Sequence, residues 1–306
     1  MSDTHSEKTG GRKVLGALLA LFAGCSFGVG GAVSQIVVGQ GFSVMQVCFA
    51  QYVMAFIIMG LLVLVKFRPT MTRKECLQLV ILGVLSSISS FTYYLAIDLL
   101  SVSAGVAIQF QYVWIVVAIE AVVERKIPGK WTVISAVLIV GGTVLGSGMM
   151  DEIISGGLTM DPLGLFYAIV CAVFYAAFIY FSGFIAQGAD PVSKTFFSVT
   201  GGVILITVLM PFNGGFTFSF VDIAPWGVLM GLIMSVIPIL FIVAAYNFIS
   251  GGLVGILTSS ELPMAVAAGL VLLGQGVTPL IIIGVIVILG AIALAQLDNK
   301  GTENAK

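Results

Sequence analysis

Charge is scarce in this chain. Only 9% of its 306 residues are charged, whereas a soluble domain carries roughly a quarter. So little charge cannot cover a water-facing surface. Histidine is nearly absent too: the only one, His5, lies in the polar segment MSDTHSEKTGGRK. That excludes a catalytic histidine inside an apolar span, and with it a Ser–His intramembrane protease. No Asp falls in the middle of an apolar run, which removes an aspartyl dyad. The four cysteines (Cys25, Cys48, Cys76, Cys171) sit in or beside apolar runs, with neither metal-ligand spacing nor a secreted disulfide pattern. They read as packing residues, and no metal or cofactor is expected.

What is present is hydrophobicity in long runs. Apolar residues make up 59% of the chain, and mean hydropathy is +1.16. A spanning helix needs about 20 mostly apolar residues. By that rule ten spans are expected, at about 14–38, 44–65, 76–97, 101–123, 131–150, 162–186, 191–211, 226–248, 251–274 and 279–296. The first is too long for a signal-peptide core and is followed by no cleavage site, so it is expected to be retained. The fold class is an all-α membrane protein.

The basic residues fix the expected orientation, because Lys and Arg are retained on the cytoplasmic side. With the N-terminus inside, the inner segments hold Lys8, Arg12 and Lys13; Lys66, Arg68, Arg73 and Lys74; Arg125, Lys126 and Lys130; Lys194; and Lys300 and Lys306. Those are all 13 Lys and Arg. The outer loops carry Asp98, Asp151, Glu152, Asp161 and Asp222 instead. A wrong helix count would scramble this segregation. Both termini are therefore expected to be cytoplasmic.

Ten spans divide into five and five. An odd number per half means that the second half enters the membrane inverted. Residues 95–108, LAIDLLSVSAGVAI, align with 244–257, AAYNFISGGLVGIL, at a shift of 149; 133–145 align with 282–294 at the same shift. The expected organisation is a polar tail 1–13, a first repeat 14–150, a connection 151–161, a second repeat 162–296 and a polar tail 297–306. Inverted repeats of this kind characterise secondary transporters.

The ten spans, the short turns between spans 3–4 and 8–9, the A-x-x-x-x-x-S pattern at each turn, the proline or aromatic that follows (Pro263, Trp114) and Glu124-Arg125 before a Gly-rich span together resemble the EamA family of the drug/metabolite transporter superfamily. The resemblance covers about residues 14–296. It departs at Gln51, where family members often carry Arg, and at Gly274-Gln275, where Gly-Glu is common. It implies a bacterial inner-membrane transporter, not an enzyme, with a central cavity lined by spans 3, 4, 8 and 9. Export is the direction it implies.

The residues agree that these spans are unusual. Span 3 carries Ser86, Ser87, Ser89, Ser90, Thr92, Tyr93 and Tyr94; span 4 carries Gln109, Gln111, Tyr112 and Trp114. Span 9 carries Thr258, Ser259, Ser260 and Glu261, with Pro263 following and no Lys or Arg within it. Polar groups facing lipid cost free energy, so they should point inward. At the shift of 149, Gln109 corresponds to Thr258 and Tyr112 to Glu261, each pair spaced i, i+3 on one helix face.

The expected substrate- or proton-binding set is Glu261, Thr258, Ser260, Gln109, Gln111, Tyr112, Trp114, Ser90 and Tyr93. Glu261 either exchanges a proton with the cavity, pairs with a substrate amine, or simply hydrogen-bonds a neighbouring helix. Pro238 and Pro263 each free a carbonyl as a hinge, or only kink their helices. Asp98 and Asn247 are read as turn caps, and Glu120 as a carboxylate that snorkels to the interface.

The absence of membrane Lys and Arg argues against a strongly anionic substrate and for an amino acid or amine. Efflux of drugs or toxic cations and metabolite uptake are the nearer alternatives; a channel or intramembrane enzyme is more remote. The expected partners are a small-molecule substrate, the lipid bilayer and protons as coupling ions, with no nucleic acid. Oligomeric state is left open.

Overall fold

A computed structural model describes residues 3–66, 71–158, 160–212 and 219–301, excluding the side chains of 3–10, 66, 98 and 298–301. His5, Arg68, Lys300 and Lys306 fall outside these limits, as do the cap expected of Asp98 and most of the loop before span 8. The helices are α1 (Asp3–Gly39), α2 (Val44–Lys66), α3 (Arg73–Leu99), α4 (Val102–Gln109), α5 (Tyr112–Glu124), α6 (Lys130–Gly146) and α7 (Met149–Ser155). They continue with α8 (Pro162–Ser182), α9 (Pro191–Leu209), α10 (Phe220–Gly231), α11 (Ile237–Ala245), α12 (Gly251–Thr258), α13 (Glu261–Leu273) and α14 (Pro279–Gly301).

Among the described residues there are nine spans long and apolar enough to cross a membrane, or ten when α6 and α7, bent by 51°, count as one. Large apolar side chains cover the outside, among them Val137, Ile286 and Phe166 within the spans, at 66%, 62% and 58% exposure. Such a surface suits lipid rather than water.

Several helix starts follow from local chemistry. Thr72 and Glu75 form a reciprocal capping box for α3. Asp161 and Asp190 cap α8 and α9, each followed by a proline at the first helical position. The expected limits shift in places. The polar N-terminal segment is helical from Asp3, and span 8 begins six residues early, with Asp222 in its first turn.

Span 4 is not one helix. It breaks at Phe110–Gln111 between α4 and α5, and span 9 breaks at Ser259–Ser260 between α12 and α13. The backbone solves both breaks alike. Gln111 N–H donates to Ile108 O and Val113 N–H to Phe110 O; Ser260 N–H donates to Leu257 O and Leu262 N–H to Ser259 O. These short turns satisfy groups that a plain break would orphan. Ser101 and Ser250 cap the two spans through their hydroxyls, so the caps are these serines and not Asn247. Arg125 and Gly274 end them in the left-handed region, at φ 53° and 64°. Each of these three pairs is 149 residues apart.

Packing follows the same correspondence. α3 packs on α8, and α11 on α1; α3 on α9, and α10 on α2; α1 on α13, and α8 on α4 and α5; α6 pairs with α14. In each pair a helix of the first half meets one of the second. The four G-x-x-x-G pairs lie in close contacts. Gly24 and Gly28 lie against the span 9 break, Gly142 and Gly146 against α13 and α14, Gly227 and Gly231 against α2, and Gly251 and Gly255 against tyrosines and Val116.

Candidate functional site

Between the halves lies a cavity of about 280 Å³. Its walls come from α1 (Phe27, Gln35), α3 (Ser90, Tyr93), α4 (Gln109), α8 (Tyr175) and α13 (Glu261). Val102, Ser147 and Gln275 extend its lining to the helix ends near Asp151 and Glu152. There Ser101 Oγ donates to Glu152 at 2.5 Å and Thr278 Oγ1 to Asp151 at 2.7 Å, tying α7 to α4 and to the start of α14.

The other end carries contacts at helix termini, beside a smaller cavity of about 160 Å³ lined by Glu120 and Ser250. Glu120 accepts a hydrogen bond from Gly252 N–H in the first turn of α12. A carboxylate there meets unpaired N–H groups and the positive end of the helix dipole. Tyr246 Oη donates to Ile179 O, and buried Lys194 donates to Ser182 O at 3.1 Å, both on the last turn of α8. The negative end of that helix suits a cation. Thus Glu120 bridges two helices rather than reaching for solvent. All eight residues of α12 are buried, whereas its counterpart α4 lines the larger cavity.

Glu261 is the first residue of α13, at the positive end of that half-helix. Its Oε2 is buried and has no hydrogen-bond partner among the described residues. No Lys or Arg lines the cavity. The Tyr175 hydroxyl is also buried without a partner. A buried polar group left unpaired costs about 1–3 kcal/mol, and more if charged. Tyr175 stands edge-on to Tyr112 (ring centroids 4.7 Å apart) and to Phe27 (6.1 Å).

The residues picked from sequence separate into three groups. Glu261, Gln109, Ser90 and Tyr93 line the cavity. Thr258, Ser260 and Tyr112 sit behind its floor and hold the break together: Tyr112 Oη lies 3.2 Å from Thr258 Oγ1, and Ser260 Oγ donates to Leu21 O at 2.8 Å. Gln111 and Trp114 lie away from it. Trp114 is 49% exposed, and its Nε1 donates to Gln111 Oε1 at 3.0 Å on the outer surface. The break turns α5 so that Trp114 faces outward.

Other expectations change as well. Span 8 gives the cavity only Met234, while α1 forms a whole wall. Three span 3 hydroxyls bond backward to their own helix, Ser87 to Gly83 O, Ser90 to Ser86 O and Thr92 to Ile88 O, while Ser89 donates to Cys171 O on α8. Pro263 frees no carbonyl: it is the third residue of α13, where no N–H is needed, and Ser259 O already accepts from Leu262. Pro238 follows a π-helical turn, Leu232–Val236, which accommodates its missing donor. Gln51 is buried and donates to Ser235 Oγ at 3.0 Å, away from the cavity.

Sequence reasoning missed Tyr175 and Phe27. The available signal was Cys171 and Tyr175, spaced i, i+4 on one face of span 6.

Residues 14–148 match the family described as the EamA-like transporter family, part of the drug/metabolite transporter superfamily. No curated protein matches the chain. A solved structure described only as "Crystal structure of protein" is 15% identical, with a TM-score of 0.75 over 96% of this chain and 99% of its own. At that identity the likeness carries the fold alone.

Proposed function

We propose that this chain, whose residues 14–148 match the EamA-like transporter family, is a secondary carrier working by alternating access. One observation carries the reading: a cavity between the halves whose lining includes the unpaired buried carboxyl of a broken helix. On this reading that cavity and the contacts around Glu120, Tyr246 and Lys194 at the opposite end describe one of the two states such a carrier needs.

The two halves, 14–150 and 162–296, are inverted repeats with both termini cytoplasmic. The 149-residue correspondence of caps, breaks and helix ends supports this, and so does the reciprocal packing. On this reading the cavity faces the outside, and in the second state α12 opens while α4 closes. The membrane is the bacterial inner membrane, and the solute is a small organic metabolite such as an amino acid or amine, moved outward. Glu261 carries the coupling proton.

Counterflow in proteoliposomes tests the carrier reading. Solute preloaded inside should accelerate entry of labelled solute, and Glu261→Gln should uncouple flux from a proton gradient. Currents far above carrier rates, or flux in Glu261→Gln that still follows the proton gradient, would refute it.

A further inference from the structure

Two buried polar atoms in the cavity have no partner among the described residues, and they belong to different helices. Glu261 Oε2 comes from α13 and the Tyr175 hydroxyl from α8. Tyr175 is 7% exposed and lines the same cavity as Glu261. Unpaired buried groups are uncommon, and a pair in one cavity calls for a ligand group that answers both. A carboxylate only accepts hydrogen bonds, while a phenol oxygen also accepts. An ammonium group, with three N–H donors, satisfies both at once. Gln109 and Ser90 supply further oxygens on the facing wall.

The rest of the lining narrows the ligand. Phe27, Tyr93 and Tyr175 provide aromatic surface, which favours a cation. Ile97, Val106 and Met234 are apolar. No Lys or Arg stands ready for an acidic group, and the polar remainder is neutral Ser and Gln. A zwitterion would bring a carboxylate with no cationic partner.

We infer that the cavity floor binds a small organic amine with an apolar tail, its ammonium group shared between the Glu261 carboxyl and the Tyr175 hydroxyl. The site is that of the carrier reading; the ligand chemistry and the role of Tyr175 are added to it. Tyr175 is thereby a specificity-determining residue, telling an amine from its neutral isostere.

Three probes with one tail test this: 2-phenylethylamine, phenylalanine and 2-phenylethanol, bound to purified full-length protein and followed by calorimetry and thermal shift. The amine should bind at least about tenfold tighter than either of the others, given what a hydrogen bond to a charged group contributes. Tyr175→Phe keeps the ring and removes the hydroxyl. It should weaken amine binding about 10- to 100-fold and leave the alcohol within about twofold. Glu261→Gln should abolish the amine's advantage.

Equal binding of phenylalanine and the amine by the wild type overturns the inference without any variant. So does a folded Tyr175→Phe protein with undiminished amine affinity. The carrier reading fails separately. Amine binding without counterflow removes the carrier and keeps the site, whereas counterflow of a solute that the amine never displaces keeps the carrier and removes the amine.

Discussion

Replacing Glu120 with alanine should shift the balance between the two states of the cavity. The Glu120 carboxyl accepts the Gly252 N–H in the first turn of α12, a helix whose every residue is buried. Truncation leaves that N–H without water or partner, at about 1–3 kcal/mol. It also removes negative charge from the positive end of a helix, worth typically 0.3–1 kcal/mol. Under the alternating-access proposal only the state with α12 packed shut has this contact, so about 2 kcal/mol comes off that state alone, roughly a 30-fold change in the equilibrium.

Cysteine accessibility reads this change. In a background without the four native cysteines, Ser147→Cys reports the cavity and Val254→Cys reports α12, where Val254 is fully buried. Glu120→Ala should slow thiol labelling at the first and speed it at the second. Glu120→Gln, which keeps an accepting oxygen but loses the charge, should fall between. Labelling rates within about twofold of the parent at both positions in Glu120→Ala would refute the idea that this contact holds the closed end.

Other perturbations have equally definite outcomes. A Cβ on Gly28 would come within 2.8 Å of the Ala265 nitrogen and 2.9 Å of Met264 Cβ, so Gly28→Leu should destabilise by about 1–3 kcal/mol or more, seen as a lower melting temperature. A melting temperature equal to wild type would mean that α1 does not lie on the span 9 break. Trp114→Ala should leave solute binding unchanged, because the indole faces outward and bonds only Gln111; weakened binding would return Trp114 to the cavity. Ser101→Ala and Ser250→Ala each remove a helix cap and should each cost about 1 kcal/mol of stability. Combined, they should add, because one lies at each end of the molecule.

The long apolar spans and the lone carboxylate Glu261 within one of them are visible in composition and hydropathy. The breaks are not. Phe110–Gln111 and Ser259–Ser260 contain neither Gly nor Pro, and hydropathy runs straight across them. Treating spans 4 and 9 as continuous put Gln109 with Tyr112, and Thr258 with Glu261, on common faces. The breaks instead leave Gln109 and Glu261 in the cavity and send Thr258 and Tyr112 behind its floor. The same turn carries Trp114 outward. Tyr175 escaped notice because one hydroxyl in an apolar span is ordinary until it is seen to lack a partner.

Helix α1 touches both irregular places in the second half. Ser26 Oγ donates to Ile233 O in the π-helical turn at 2.7 Å, and Ser260 in the span 9 break donates back to Leu21 O. Gly24 between these ties and Gly28 just past them let backbone lie on backbone, with no side chain to absorb a displacement. A shift of α1 along its axis therefore reaches Glu261 without slack. Substitutions on the cavity-averted length of α1, which meet no solute, should alter turnover while leaving affinity alone.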